Sequence, residues 1–422
     1  MEKIILIADD ITGACDSGVQ FTQKGLKAAV FFDEPAVGDV EADVIIYDTD
    51  SRALSQQEAY QAVDRVAATL SEEVVGMIYK KIDSTLRGNI GSEIDGLMDR
   101  LSFDVAIIVP ALPSMGRITK NGIHYLNGEP IEKTEIAQDP KTPVTESNII
   151  RLLSNQSKRE ASLFPKDLLN QDIQVIYQKA KELINEEKTL FVIDAENKRD
   201  LQQIVTGFKD LPFRVLWVGS AGLAEFLVPK NNGEHKRPVG REVVNNKQPV
   251  LIVSGSRSSV AKRQVETLQE LSSVNIVSLI PDNLLEKEER ELEIVKCQEE
   301  LIVHLKNKQD VVVNVEKVQR TSLSKHPNLP YVIVEALGKI VKKAVSQFQL
   351  QGIILTGGDT AKSISRELGV TGIELIDEVE RGLPLSRMIG GPRLLTVTKA
   401  GAFGSEMSLY NALQQLKGEG NQ

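Results

Sequence analysis

Two adjacent carboxylates, Asp9 and Asp10, follow directly on an apolar run in IILIADDITGACDSG, and Thr12-Gly13 opens a helical pattern after them. Acids at the carboxyl end of a strand stand where open α/β sheets bind their ligands. Such a pair can hold substrate hydroxyls or accept a proton from one; the competing reading is that one of them is simply a helix N-cap. A second polar strand end, YKKIDSTLRGNIGSEIDGL, carries Lys81, Ile82, Asp83, Ser84, Thr85 and Arg87. There Lys81 and Arg87 can clamp a carboxylate or phosphate, the arginine in bidentate fashion, and Asp83 can bind a hydroxyl. The alternative is a solvated loop with a Ser/Thr cap. A third such end is Asp48, Thr49, Asp50, Ser51 and Arg52. Acids and bases gathered on one sheet edge suit a small polyhydroxylated acid.

Nearer the C-terminus, three segments each run from an apolar strand through a small-residue loop into a helix: VLIVSGSRSSVAKRQV, GIILTGGDTAKSI and LLTVTKAGAFGSEMSL. Their loops, with Ser254 and Ser256, then Gly357, Gly358, Asp359 and Thr360, then Gly401 and Gly404, offer backbone N–H groups and helix N-termini to one anion, most naturally a polyphosphate. Asp359 can reach Mg²⁺ directly or through water. A glycine after a strand is more often only a tight turn, and neither Walker A nor G-x-G-x-x-G occurs; the argument is that three such loops share one domain. A phosphate cradle in one half and acidic groups in the other imply phosphoryl transfer between two lobes. The rivals are a nucleotide-gated sensor binding both ligands without chemistry, and a hydroxy-acid dehydrogenase, which the missing dinucleotide fingerprint disfavours. No G-x-S-x-G elbow supports an α/β hydrolase. His124, His235, His304 and His326 have no ligand spacing, which argues against structural zinc; His124 stands between substrate contact and a structural role.

The elements that position these residues alternate along 422 residues, a length that favours two domains. Strands are expected at Ile4–Ala8, Ala28–Phe32, Val44–Tyr47, Val75–Lys80, Val105–Val109, Leu190–Asp194 and Arg214–Val218, several apolar on both faces as in a helix-covered parallel sheet. Helical spacing covers Glu58 to Leu70 and Ile173 to Ile184. The Pro-, Gly- and Asn-rich stretch 229–248 reads as a linker, after which strands restart near Val250, Asn275, Val311, Gly352 and Leu394. The expected fold is therefore α/β, with domains over 1–228 and 249–422, each a mostly parallel sheet flanked by helices, and an active site in the cleft between them. Pro110 to Asp139 is expected to be an ordered loop or hairpin, and VGSAGLAEF (Val218 to Phe226) either faces the site or caps a helix. Hydrophobic residues make up 41% and charged residues 26%, typical of a globular chain, and the net charge of -9 argues against nucleic acid. Cys15 and Cys297 read as two free thiols, and with no signal or membrane-length segment the expected location is the cytoplasm. A homo-oligomer is left open.

Taken in order, IADDITGACDSGVQ, KKIDSTLRGNIGSEID, VPALPSMGRITKNGIHYLNGEPI, VGSAGLAEF, VSGSRSSVAKRQ, LTGGDTAKSI and KAGAFGSEMSL resemble the four-carbon acid sugar kinase family over nearly the whole chain. The resemblance implies an N-terminal sugar-acid domain, a C-terminal ATP domain, and transfer of the γ-phosphoryl group to the terminal hydroxyl of a four-carbon aldonic acid with Mg²⁺. It implies Asp9, Arg52 and Lys81 through Ser84 at the substrate, and Ser254 or Ser256, Gly357 through Thr360, and Gly401 or Gly404 at the nucleotide. The stretch ACDSGVQFTQKG is similar to the members acting on D-threonate, with Cys15 replacing the Asn expected there; D-erythronate and 3-oxo-tetronate are the alternatives. In the expected mechanism Lys81 and Arg52 hold the carboxylate or the migrating phosphoryl group. Asp9, Asp10 and Asp83 arrange hydroxyls, Asp10 is the first choice of base, and the lobes close about the linker to exclude water.

Overall fold

The computed structural model describes residues 3–32, 41–70, 75–139, 141–228, 248–256, 258–317, 326–401 and 403–418. The chain divides into two compact units, Met1–His235 and Lys236–Gln422. Most of the expected linker, 229–247, lies outside the described residues, as does Arg257 in the first glycine loop.

In the first unit the strands are β1 (Lys3–Ala8), β2 (Ala28–Phe31), β3 (Val44–Asp48), β4 (Val75–Lys81), β5 (Val105–Val109), β9 (Glu160–Phe164), β10 (Lys188–Ile193) and β11 (Val215–Gly219). They lie in the order β2-β3-β1-β4-β11-β5-β10-β9 with every described pairing parallel. The central strands are buried on both faces (Ile5, Ile7, Ile45, Ile107 and Val109 are fully enclosed), which is why they read as unbroken apolar runs. Helices flank the sheet and begin where the sequence supplies caps. Asp10 caps Ile11–Thr22, Ser55 and Glu58 form a reciprocal capping box on Gln56–Ala68, and Asp172 caps Ile173–Asn185.

After β1 the chain builds β2 and β3 on one side and then crosses to β4 on the other. The strand order therefore reverses between β1 and β4, the kind of switch point at which open sheets leave a crevice. Register sharpens this: Ala8 at the end of β1 pairs with Asp48 on one neighbour and Lys81 on the other. Asp9, the 49–52 turn and the 82–87 loop thus emerge side by side, on strands about 4.8 Å apart.

Between β5 and β9 the long segment forms a small antiparallel sheet, β6 (Arg117–Lys120), β7 (Ile123–Leu126) and β8 (Glu129–Pro130). Its two turns are Asn121-Gly122 and Asn127-Gly128, all four residues at positive φ. That is the backbone of tight hairpins and the reason Asn-Gly stands twice in KNGIHYLNGE. The expected hairpin is present.

The second unit holds β12 (Val250–Ser254), β13 (Asn275–Leu279), β14 (Val311–Val315), β15 (Gly352–Thr356), β16 (Val370–Glu380), β17 (Leu383–Gly390) and β18 (Leu395–Lys399). Their order is β13-β14-β12-β15-β18-β17-β16, parallel from β13 to β18, with β17 antiparallel to both β18 and β16. The long β16–β17 hairpin was not among the expected strands. Here the reversal falls between β12 and β15, and Thr356 pairs with Ser254 on one side and Lys399 on the other. All three glycine loops leave neighbouring strand ends. Cys15 and Cys297 are buried free thiols.

Candidate active site

At the β1/β4 reversal, Arg52 is the hub. Its Nε and Nη2 donate to Asp9 Oδ2 and Oδ1 at 2.7 and 2.9 Å, and its Nη1 and Nη2 donate to Asp10 Oδ2 and Oδ1 at 2.8 and 2.6 Å. Asp83 Oδ1 lies 3.7 Å from the same guanidinium. Asp83 is itself clamped by Arg87, whose Nε donates to Oδ2 at 2.9 Å and Nη2 to Oδ1 at 3.1 Å, and by the hydroxyl and N–H of Thr85. Arg87 also reaches Asp139 at 3.3 Å. Lys81 Nζ donates to the carbonyl of Ile82 at 2.8 Å and lies beside Gly13 and Asp10: a Cβ on Gly13 would stand 2.5 Å from that nitrogen and 2.8 Å from Asp10 Oδ1. Gly88, at φ +96°, also borders the site, where a Cβ would stand 3.3 Å from Asp9 Oδ2 and 3.4 Å from the Arg52 side chain. The chain therefore brings Asp9, Asp10, Arg52, Lys81, Asp83 and Arg87 together. Ile82 contributes backbone, its side chain being buried.

Three carboxylates so arranged do not behave alike. Burial acts to raise Asp9, but the Arg52 guanidinium, aided by Lys80 and Lys81, outweighs it and holds Asp9 below the usual range. Burial of Asp83 is overcome more strongly by Arg52 and Arg87, leaving it well below that range. Asp10 goes the other way: burial raises it, and the neighbouring Asp9 and Asp83 charges add to this against Arg52 and Lys81. Its side chain is 22% exposed where that of Asp9 is 2%. Asp10 is also the helix N-cap, accepting from Gly13 N at 2.9 Å, so the capping reading of the acidic pair holds for Asp10.

Beneath the edge lies a layer that sequence reasoning missed. Lys80 is fully buried and pairs with Glu93 at 2.8 Å, while Ser51 donates to the other oxygen of Glu93. Lys80 and Lys81 point to opposite faces of β4, as strand alternation demands, and only a register shows which faces the site. His124 on β7 is enclosed: its Nε2 lies 2.9 Å from the carbonyl of Ser84 and its Nδ1 3.0 Å from Thr119 Oγ1. Burial pushes it down to about 4, so a neutral ring donates from Nε2 to Ser84 and accepts at Nδ1 from the threonine hydroxyl. Its role is to hold the 83–87 loop. The Ser220 side chain caps the helix Ala221–Leu227 and donates to the carbonyl of Ala111, so VGSAGLAEF does cap a helix, and its Gly219 pairs with Lys81 at the same sheet edge.

In the second unit the loops converge closely. A Cβ on Gly401 would meet Ser256 Oγ at 2.0 Å, one on Gly255 would meet Thr360 Oγ1 at 2.1 Å, and Ser258 Oγ donates to the carbonyl of Gly401 at 2.8 Å. Gly357, at φ +105°, stands before the helix Gly358–Glu367, whose N-cap has no side-chain hydrogen bond, and a Cβ on Gly358 would project into open space. Ser254, in register with Thr356, is buried beneath. Ser254, Ser256, Gly357, Gly358, Asp359, Thr360 and Gly401 therefore share one cradle. A Cβ on Gly404, at φ +87°, would meet Ser408 and Glu380 instead. Lys399 also sits here, its Nζ 3.4 Å from the carbonyl of Gly401. It stands two residues before Gly401 in KAGAFGS, and that adjacency is the signal that was available. Among the described residues no cluster of three or more His, Cys, Asp or Glu forms a metal cage.

A first unit presenting acids and guanidiniums at its reversal, and a second presenting a glycine cradle at its own, define a protein that handles a polar small molecule and a nucleotide. Residues 4–227 match a family described as a sugar-binding N-terminal domain, and residues 251–409 one described as a nucleotide-binding C-terminal domain. The chain is similar to a D-threonate kinase of Salmonella typhimurium (30% identical, covering 98% of each chain) and a D-erythronate kinase of Heliobacterium modesticaldum (29%, covering 96% of this chain and 95% of the other). In fold it is similar to the crystal structure of Haemophilus influenzae protein HI1011, with a TM-score of 0.76 and 24% identity over 98% of this chain and all of that one. The chain belongs to the four-carbon acid sugar kinase family, and is a kinase that uses ATP. Among the described residues no helix is long and apolar enough to cross a membrane.

Proposed function

We propose that this chain transfers the γ-phosphoryl group of ATP to the terminal hydroxyl of a four-carbon sugar acid, D-threonate giving 4-phospho-D-threonate. The observation that carries the reading is the split among the three carboxylates around Arg52, with Asp10 the one raised and partly exposed. Asp9 and Asp83, both held as anions, orient hydroxyls. As the terminal hydroxyl oxygen bonds to the γ-phosphorus and the bond to the β-phosphate bridging oxygen breaks, the hydroxyl proton passes to Asp10. Lys81 and Arg52 neutralise the carboxylate and the migrating charge, the term on which phosphoryl transfer chiefly depends. The 254–256, 357–360 and 401 loops hold the nucleotide phosphates. Mg²⁺ is commonly held by one or two carboxylates together with substrate phosphates, and Asp359, in the first turn of the helix Gly358–Glu367, would be its protein ligand. When bound, the ion would supply neutralisation of phosphate charge.

The D-threonate choice is supported by ACDSGVQFTQKG and the Salmonella relative; the Heliobacterium relative, at nearly equal identity, supports D-erythronate. Coupled ADP release with Mg-ATP against D-threonate, D-erythronate, L-threonate and 3-oxo-tetronate tests both. Turnover on D-threonate above the others is expected. Turnover confined to another of the four corrects the substrate, and no turnover on any of them sinks the reading.

A further inference from the structure

Lys399 closes β18 inside the glycine cradle. Its carbonyl accepts from Gly357 N at 2.9 Å, so its backbone is part of the loop that opens the helix Gly358–Glu367. The residue is 4% exposed, and among the described residues the one hydrogen bond of its side chain is a long contact, 3.4 Å to the carbonyl of Gly401. Among the described residues it forms no ion pair; Glu380 acts on it from a greater distance.

A buried ammonium without a counter-charge is costly, and such groups are normally paired. Lys80 shows what this chain does with a buried lysine of structural purpose: it is met by Glu93 at 2.8 Å and two backbone carbonyls. Among the described residues Lys399 has no equivalent. Around it lie the uncapped N-terminus of a ten-residue helix, a glycine at positive φ, open space over Gly358, and the buried hydroxyl of Thr356, which has no partner among the described residues. The helix N-terminus and the hydroxyl can each meet an anion, and strand register sets Thr356 beside Lys399.

We infer that Lys399 is a nucleotide-binding residue whose ammonium contacts the polyphosphate of a nucleoside di- or triphosphate. This rests on the nucleotide reading given above and adds the cation that reading lacked. Burial holds the free amine down to about 8, as expected of a site whose counter-charge arrives with the ligand.

The test compares wild type with Lys399→Met and Lys399→Arg, using ADP, adenosine and D-threonate as separate calorimetric probes and thermal melting without ligand. In Lys399→Met the ADP dissociation constant should rise about 10- to 100-fold, the loss expected of one charge-assisted contact. Adenosine and D-threonate binding should be unchanged, the ligand-free melting temperature equal or higher, and Lys399→Arg should recover part of the ADP affinity. ADP binding by Lys399→Met within about threefold of wild type overturns the inference, as does a sharp drop in its ligand-free melting temperature, which would mark Lys399 as a support of the fold. Failure of wild type itself to bind ADP would overturn the nucleotide reading, and is read before any variant is made.

Discussion

Gly13→Ala should separate stability from turnover. Gly13 lies in the first turn of the helix that Asp10 caps, with ordinary helical backbone, so alanine is conformationally welcome and brings up to about 1 kcal/mol of helix propensity. Its methyl group arrives 2.5 Å from Lys81 Nζ and 2.8 Å from Asp10 Oδ1. Ordinary contact begins near 3.4 Å, so the ammonium must retreat by about 0.9 Å and the carboxylate by somewhat less. The lysine end is flexible and moves cheaply. The cap hydrogen bond to Gly13 N is loosened at a cost of about 1 kcal/mol, which offsets the propensity gain. Net stability should therefore stay within about 1 kcal/mol of wild type. Turnover should not: a displacement near 1 Å of groups that hold the reacting atoms costs about 10²-fold. Coupled ADP release alongside urea unfolding reads both. Wild-type kcat in a folded Gly13→Ala protein would refute the placement of Lys81 and Asp10 at the reacting centre. A variant that fails to fold would refute the steric account.

Asp10→Asn should lower kcat by about 10²- to 10⁴-fold with KM little changed, as for a lost general base, whereas Asp83→Asn should chiefly raise KM by releasing Arg87 and Thr85; full turnover in Asp10→Asn would end its assignment as base. Lys80→Met leaves Glu93 buried without its partner and should cost about 3–5 kcal/mol, while Lys80→Met with Glu93→Met should recover most of it in urea unfolding. His124 contributes to acid sensitivity. Its folded value of about 4 lies below the ordinary 6.5, so between those values the unfolded chain binds a proton the folded chain refuses, and stability is lost as pH falls through that window. The loss from this residue between about pH 7 and pH 5 should be about 2 kcal/mol, and His124→Gln should flatten the slope of stability against pH there.

Much of the fold was legible because parallel strands buried on both faces leave unbroken apolar runs: β1, β3, β5, β12 and β15 are where those runs predict them, to within a residue or so. What escaped has physical reasons. β9, Glu160–Phe164, is an edge strand whose first four residues are exposed or half-buried, so its composition resembles a loop. The β16–β17 hairpin mixes charge with apolar residues, and its register shifts between Val370 and Gly372, between Leu375 and Asp377 and between Glu378 and Glu380, which blurs any alternation. At the site, residue types at strand ends pointed to Asp9, Asp10, Arg52, Lys81 and Asp83, but sequence cannot say that one guanidinium joins the first two. Nor can it separate Lys81 from Lys80, since adjacent residues on a strand differ only in the face they take. Nor does spacing show that Gly404 lies against Ser408 and Glu380 while Gly401 lies against Ser256.

The saturation of Arg52 bears on which anions the protein can admit. Both guanidiniums at the β1/β4 reversal are matched to carboxylates, Arg52 to Asp9 and Asp10 and Arg87 to Asp83 and Asp139, while Lys81 is held by a backbone carbonyl. An entering anion either takes Lys81 or trades places with one of the protein's own acids, and the displaced acid then needs a new donor. A hydroxylated acid brings that donor with it; a simple carboxylate such as acetate brings none. Discrimination thus falls on the hydroxyl pattern more than on the charge, and the common anions of a cell make poor competitors at a site that already contains its own.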